Sequence, residues 1–414
     1  MHPFTLIFLV FLVAGTAFRA WLGLRQVRAV RARRAAVPTP FDKEISLADH
    51  QKAADYTAES TRFSIADHTV DALLLLGWTL GGGIALLDSA WAAAGLSPLL
   101  TGVAVITSAL VIMTLLSVPA SLYRTFSIEE RYGFNKTTPG LFVSDMVKGL
   151  VLTALLGIPL VAVILWLMQR AGELWWLYAW LVWTAFTLLM TWAYPTLISP
   201  LFNTFSPLNN ASMKERIEAL LDRCGFRSKG IYVMDGSRRS AHGNAYFTGI
   251  GNNKRIVFFD TLIETLDESE VEAVLAHELG HFRMRHVRQR LIFTVLASLA
   301  GLALLGWLVG QSWFYTALGV PSASTHAALL LFLLVTPVFT FALTPLSTFW
   351  SRRHEFEADA YAAEQSDPAA LIQALVKLYR DNATTLTPDP VHSSFYDSHP
   401  PAPIRVARLQ ELAS

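Results

Sequence analysis

Residues 277–310 read HELGHFRMRHVRQRLIFTVLASLAGLALLGWLVG and join a metal-binding pattern directly to an apolar run. Beyond Arg290, the chain has no Asp, Glu, Lys or Arg until Arg352. A transmembrane helix needs only about 20 apolar residues, so this run is too long for one helix and suits two, separated near Gln311–His326. The stretch therefore predicts a metal site at the edge of a membrane.

The rest of the chain is similarly apolar. Of its 414 residues, 53% are hydrophobic and only 16% are charged, and the mean hydropathy is +0.40. A soluble domain of this length would be more polar, so we predict a mainly α-helical protein that crosses a lipid bilayer seven times. The predicted spans are Phe4–Leu22, Ala72–Ala90, Leu99–Leu122, Gly149–Gln169, Leu174–Tyr194, Leu291–Gly310 and Ala327–Trp350.

The arginines beside the first span set the predicted orientation. Six arginines lie between Arg19 and Arg34, and basic residues favour the cytoplasmic side of a membrane. The first span lacks a basic start and a small-residue cleavage site, so we interpret it as an uncleaved signal-anchor. Residues 123–148, 195–290 and the tail from Ser351 then lie in the cytoplasm as well. The metal motif and the tail are two spans apart and therefore share one face.

The pattern divides the chain into four parts. Residues 1–196 carry the first five spans, 197–290 form a catalytic insert, 291–350 carry the last two spans, and 351–414 form a tail that completes the metal site. The insert has the composition of a mixed α/β unit. Its apolar runs at Ile231–Met234 and Ile256–Phe259 predict two short strands.

The net charge and the cysteine content exclude some classes of binding partner and of metal site. The net charge is +1, and no basic stripe is interleaved with aromatic residues, so no nucleic-acid partner is expected. Cys224 is the only cysteine, which rules out an internal disulfide and a multi-cysteine metal site.

The HELGH sequence predicts the chemistry. Asp267 and Glu270 form a capping box that starts a helix, predicted to run to about Val287. On that helix His277 and His281 are four residues apart, so both imidazoles face the same way and can bind one ion. Glu278 is offset from the ion and is the predicted base for a water that Zn²⁺ activates. The plainer alternative is a surface helix with two histidines and a glutamate.

A catalytic zinc needs a third protein ligand. His286 follows the motif by five residues, which on a continuous helix rotates it by about 140°, so we expect it to support the site or face solvent. Glu355 and Asp359 are four residues apart in the tail, so one can bind the metal while the other hydrogen-bonds a ligand imidazole. The alternative is an ordinary charged helix after a span.

Two segments are candidates for holding a substrate. His399 lies in the tail with Arg405 six residues later, and a histidine near the metal can stabilise an oxyanion. Asn244 and Ala245 precede a predicted strand and can form an edge strand, which binds extended peptides through its main chain. The alternatives are a structural tail histidine and a plain hairpin.

Several separate motifs, taken together, resemble the type I CAAX prenyl endopeptidases. The motifs are Glu130–Asn135, Pro195–Leu208, Asn244–Phe247, Asn253–Val257, Phe259–Leu262, His277–His281, Ser351–Asp359 and His399–Pro401 with Arg405.

The resemblance implies a fold class and a ligand set. The fold would be a polytopic membrane protein, seven transmembrane helices with a cytoplasmic α/β zincin-type metalloprotease domain, whose spans surround a water-filled chamber. Glu355 would be the third zinc ligand and Asp359 its supporting partner, with His399 and Asn244 contacting the substrate.

The leading hypothesis is a zinc-dependent membrane endopeptidase that acts on peptides or membrane proteins. One alternative is a heat-shock-type quality-control protease, a relative that usually has fewer spans. Another is a transporter or channel with structural zinc, which the scarcity of ionisable residues within the spans disfavours. Short termini and no evident organelle retention signal suit a bacterial inner membrane, with the catalytic site facing the cytoplasm.

Overall fold

The computed structural model describes residues 1–248 and 255–413 and is mainly helical. Within these residues, six helical stretches are long and apolar enough to cross a membrane, and a bent helix pair makes a seventh. The predicted mainly α-helical membrane fold is therefore confirmed. The helices of the N-terminal half are α1 (Pro3–Ala32), α2 (Leu47–Trp78), α3 (Gly83–Ala92), α4 (Pro98–Tyr123), α5 (Pro139–Arg170), α6 (Trp175–Ala193) and α7 (Ser199–Phe202).

The second span differs from its prediction. The sequence predicts one helix over Ala72–Ala90, but α2 ends at Trp78 and α3 begins at Gly83, with a bend of 47° between them. Gly82 has a φ of 80°, a left-handed conformation that glycine adopts without steric cost. A Cβ on Gly81 would lie 2.8 Å from the carbonyl oxygen of Gly77. These glycines therefore end the helix and allow the chain to turn tightly.

Three helices of the N-terminal half are longer than a bilayer is thick. Helix α1 has 30 residues, and α2 and α5 have 32 each. At 1.5 Å per residue such helices are about 45 Å long, against about 30 Å of hydrocarbon. The C-terminal end of α1, with its arginines, thus projects out of the membrane.

The described part of the insert at residues 197–290 contains a small four-stranded sheet. Its strands are β1 (Phe205–Pro207), β2 (Ile231–Met234), β3 (Ala245–Thr248) and β4 (Arg255–Phe259). They lie in the order β1-β2-β4-β3, in which β2 and β4 are parallel and the other two pairs are antiparallel. The strand predicted at Ile231–Met234 is confirmed, and the other begins one residue early, at Arg255. Asn253 and Lys254, part of one resemblance motif, lie outside the described residues. The helices of the insert are α8 (Ala211–Arg223), α9 (Asp260–Thr265) and α10 (Glu268–Arg283).

The last part of the chain returns from the membrane to the insert. The predicted seventh span, Ala327–Trp350, is split by a short turn at Phe341–Leu343. The second of its two helices continues to Gln365, so Glu355 lies on the same helix as the end of the span. The helices are α11 (His286–Leu308), α12 (Ser312–Thr316), α13 (Thr325–Thr340), α14 (Thr344–Gln365), α15 (Pro368–Asp381), α16 (Pro390–Tyr396) and α17 (Ala402–Ala413).

The insert and the tail share one hydrophobic core. Leu220 of α8 and Leu279 of α10 are buried with Leu371 of α15 and Leu409 of α17. A separate core joins the membrane helices. Because burial of apolar surface is the main stabilising term, the tail is fixed against the insert, and α14 is fixed beside α10.

Candidate active site

Helix α10 presents the two histidines of the motif. The capping box predicted from Asp267 and Glu270 is present at its start. One turn apart, the Nε2 atoms of His277 and His281 lie 3.2 Å from each other. Both rings therefore point at one position, as the spacing predicted.

Glu355 of α14 completes a three-residue group. Its carboxylate oxygens lie 3.4 Å from Nε2 of His277 and 3.3 Å from Nε2 of His281. Metal bonds of about 2.0–2.1 Å around a tetrahedral ion place neighbouring ligand atoms about 3.3 Å apart, so the three separations fit one ion. Oε2 of Glu355 is buried and makes no hydrogen bond of ordinary geometry within the described residues. The donor set thus fits a metal ion.

A buried ion pair between Asp359 and Arg405 contacts His277 on the side of the ring away from the metal position. Oδ1 of Asp359 lies 2.8 Å from Nδ1 of His277, and Arg405 donates to both oxygens of Asp359 at 2.8 and 2.5 Å. Burial lowers the pKa of His277, but the Asp359 and Glu355 carboxylates outweigh it and raise that pKa to about 9. Burial also lowers the pKa of Arg405, yet Asp359 raises it above its ordinary value. The substrate-binding role predicted for Arg405 stays a prediction, since its guanidinium is buried against Asp359.

The helix that carries the motif ends earlier than predicted. The sequence predicts that it continues to about Val287, but α10 ends at Arg283, and Arg285 has a φ of 61° before α11 begins. This left-handed residue turns the chain, and His286 is buried with its Nδ1 atom 3.0 Å from Nδ1 of His281. The rotation of about 140° calculated for a continuous helix therefore does not apply.

The remaining predicted residues lie around a cavity of about 630 Å³ beside the metal ligands. Glu278 lines it, as do Asn244 and Ala245, and β3 is the edge strand predicted at that position. His399 also lines it, and its Nδ1 atom lies 2.7 Å from Oε2 of Glu355. All the predicted site residues are thus close together in the fold.

Sequence reasoning missed two residues that support this cavity. Arg352, at the start of the charged stretch after the last span, donates to the main-chain oxygens of Ser393, Ser394 and Asp397, just before His399. The amide oxygen of Asn382 accepts a hydrogen bond from the main-chain N–H of Gly243, next to the edge strand. The one signal in the sequence is the i, i+3 spacing from Arg352 to Glu355, which places the two residues on the same face of a helix.

Two histidines on one helix, a glutamate on a second and a set of membrane-crossing helices define an integral-membrane metalloendopeptidase. The family profile described as the CAAX prenyl protease N-terminal region, with five membrane helices, matches residues 26–204. The profile of peptidase family M48 matches residues 207–413. The chain belongs to peptidase family M48 and shares the membrane region of its CAAX prenyl proteases.

Individual relatives match along nearly the whole chain. The CAAX prenyl protease 1 homolog of Arabidopsis thaliana is 33% identical over 99% of this chain and 97% of its own length. CAAX prenyl protease 1 of Saccharomyces cerevisiae is 32% identical over 99% and 96%. The crystal structure of S. mikatae Ste24p superposes with a TM-score of 0.90 at 30% identity, covering 99% of both chains. The similarity therefore includes both the membrane helices and the catalytic unit.

Proposed function

We propose that this metalloendopeptidase uses zinc, held by His277, His281 and Glu355, and cleaves the C-terminal peptide ends of prenylated CAAX-type proteins with Glu278 as general base. The observation that carries the proposal is the set of separations of 3.2, 3.3 and 3.4 Å between the three ligand side chains. Two imidazoles and one carboxylate are a ligand set of catalytic zinc, which leaves a position open for substrate or water.

The side chains around the site have distinct tasks. Zinc, when bound, would polarise the scissile carbonyl and make a neighbouring water more acidic. The Glu278 carboxylate takes the proton from that water and delivers it to the leaving amine. Asp359 accepts the Nδ1 hydrogen of His277 and so leaves Nε2 free to bind the metal, while Arg405 fixes the orientation of Asp359.

The cavity supports binding of an extended peptide with an apolar group. Strand β3 is antiparallel to β4, and its outer edge has no strand partner in the described part of the chain. Main-chain groups near Asn244 and Ala245 can therefore bind a substrate strand, and His399 is close enough to stabilise the oxyanion. The lining of the cavity also includes apolar side chains from α15, and these suit a prenyl chain: Leu371, Leu375 and Leu378.

The proposal places the site at the cytoplasmic face of the membrane. Arg25, in the basic end of α1, makes two hydrogen bonds to Asp389 of the tail, at 3.1 and 3.0 Å. The tail thus lies on the same side as the basic segment, which the positive-inside rule assigns to the cytoplasm. A bacterial inner membrane is the proposed location, and fractionation of the native cells tests it.

Purified protein in nanodiscs tests the proposed function. Zinc content is measured by mass spectrometry for wild type, Glu278→Gln and His281→Ala, together with hydrolysis of a farnesylated CAAX peptide and its unprenylated form. We expect Glu278→Gln to keep zinc and lose hydrolysis, and His281→Ala to lose both. Full turnover by Glu278→Gln would refute the catalytic assignment. Equal cleavage of the two peptides would refute the prenyl preference and favour a broader quality-control role.

A further inference from the structure

A chain of side chains, with the buried His286 at its centre, leads from the second histidine of the motif to the protein surface. His281 Nδ1 lies 3.0 Å from His286 Nδ1, and His286 Nε2 lies 3.0 Å from Oε2 of Glu357. We propose that His286 and Glu357 are positioning residues that fix His281 as a metal ligand and slow the release of the metal. This inference rests on the proposed role of His281 as a ligand.

The hydrogen-bond chemistry allows one arrangement of hydrogens along this chain. Nε2 of His281 faces the metal position and needs its lone pair there, so the ring hydrogen is on Nδ1. His286 must then accept at Nδ1, and its own hydrogen is on Nε2. That nitrogen faces Glu357, whose carboxylate is an acceptor. Each donor thus meets an acceptor, from the metal ligand to the carboxylate.

The surrounding structure holds His286 in place. Its ring is buried and stacks on His354, with ring centroids 3.8 Å apart and planes within 10°. His354 in turn is within hydrogen-bond distance of Gln289, at 3.2 Å between Nε2 and Oε1. The left-handed conformation of Arg285 places His286 beside His281. A buried polar ring without partners would be costly, so these contacts define one position for it.

The two histidine ligands therefore have different supports. His277 faces a buried carboxylate directly, and that carboxylate is neutralised by Arg405. His281 contacts a neutral ring, and the carboxylate of Glu357 lies one residue farther out, where it also accepts a hydrogen bond from Arg353. Partners of metal-bound histidines set ring orientation and ligand basicity, and their loss typically lowers metal affinity about 10- to 100-fold.

Metal dissociation measures this role without relying on catalysis. The variants are Glu357→Gln, His286→Leu and His286→Asn, with Glu364→Gln as a control from an exposed position on the same helix. Zinc release to an excess of chelator is followed in each, and the visible spectrum of the cobalt-substituted protein reports the geometry of the site. Thermal unfolding of the metal-free forms reports whether the fold is retained.

We expect His286→Leu to release zinc about 10- to 100-fold faster than wild type, because no acceptor remains for His281. His286→Asn should recover part of this loss, since its amide oxygen can accept near the former Nδ1 position. Glu357→Gln should release zinc faster than Glu364→Gln and shift the cobalt spectrum, while unfolding at the same temperature.

Two results separate the possible errors. If Glu357→Gln and folded His286→Leu release zinc at the wild-type rate, the positioning role is refuted while the metal site stands. Glu357 is half-exposed, so its variant remains informative even if His286→Leu fails to fold. If His281→Ala keeps its zinc, the proposed ligand set itself is wrong.

Discussion

Gly280 packs directly against the main chain of Ala358. A Cβ atom at position 280 would lie 2.9 Å from Cα of Ala358 and 3.0 Å from its carbonyl oxygen. Backbone atoms cannot rotate away, so the absence of a side chain sets how closely α10 approaches α14. That approach brings Glu355 and Asp359 to the two histidines.

Gly280→Ala should therefore weaken metal binding by at least about tenfold, because a misplacement near 1 Å is severe at a site of this kind. Alanine is about 1 kcal/mol more favourable than glycine within a helix, so helix propensity alone predicts a more stable α10 and no loss of metal binding. Zinc content and dissociation rate provide the measurement.

A second glycine provides the control for this substitution. Gly149 lies within α5 and has nothing within 4 Å of its Cβ position among the described residues. Gly149→Ala should leave zinc binding unchanged. A Gly280→Ala protein with wild-type zinc affinity would contradict the packing argument.

Much of the site was predictable because its chemistry is local. His277, Glu278 and His281 are read from one helical turn, and the pair Glu355 and Asp359 from another. The topology of two intervening spans correctly placed these turns on one face. The spacing of residues within a helix and the number of spans between two segments can both be read from the sequence. These two properties were sufficient to predict which side chains meet.

The residues that hold the metal ligands in place could not be predicted from local spacing. Arg405 lies 46 positions after Asp359, and its spacing from His399 suggested a substrate contact instead. The position of His286 beside His281 depends on the left-handed conformation of Arg285. Arginine rarely adopts this conformation, so the sequence gives no local signal of the turn. Such partners are defined by tertiary packing, which short-range patterns do not encode.

Metal binding should depend on pH through His277. In the metal-free site its pKa is raised to about 9, so a proton occupies the ring at neutral pH and must leave when the metal binds. Proton competition weakens as pH rises. The apparent zinc affinity should increase about tenfold per pH unit below about 9 and then level off.

Chelator competition over a pH series measures this dependence, after correction for the protonation of the chelator. Asp359→Asn removes the carboxylate that faces Nδ1 of His277, so this variant should show a smaller dependence. A zinc affinity that is independent of pH in wild type would contradict the assignment of a raised pKa in the metal-free site.

Arg285→Gly should stabilise the protein. Arg285 has φ and ψ of 61° and 29°, a conformation that costs a non-glycine residue about 1 kcal/mol or more. Glycine adopts it freely, although its greater freedom in the unfolded chain offsets part of the gain. We expect a net gain of about 0.5 kcal/mol, measured as a higher thermal midpoint, with His286 still in place and zinc release unchanged.

Arg283→Gly is the matched control for this change, because Arg283 is the last helical residue of α10. Glycine there should lower the thermal midpoint, since glycine is about 1 kcal/mol less favourable than alanine in helices. A lower midpoint for Arg285→Gly as well would mean that the arginine side chain contributes more than its strained backbone costs.

Arg352 should affect turnover without affecting the metal. Its Nη1 atom donates to the main-chain oxygens of Ser393, Ser394 and Asp397 at 3.3, 3.1 and 2.9 Å. Thr348, one turn earlier on α14, donates to Ser394 at 2.9 Å. These bonds satisfy main-chain carbonyl groups at the end of α16, where a positive charge is favourable.

Because Arg352 and Glu355 lie on one face of α14, the same helix fixes both a metal ligand and the segment that carries His399. Arg352→Ala leaves the ligands untouched but frees that segment. We expect normal zinc content and a kcat lower by about 10- to 100-fold, the effect of misplacing one group near the reacting carbonyl. Arg31→Ala, at an exposed position on α1, should leave both unchanged. Loss of zinc in Arg352→Ala would mean that the segment also supports the metal site, whereas an unchanged kcat would mean that His399 does not depend on it.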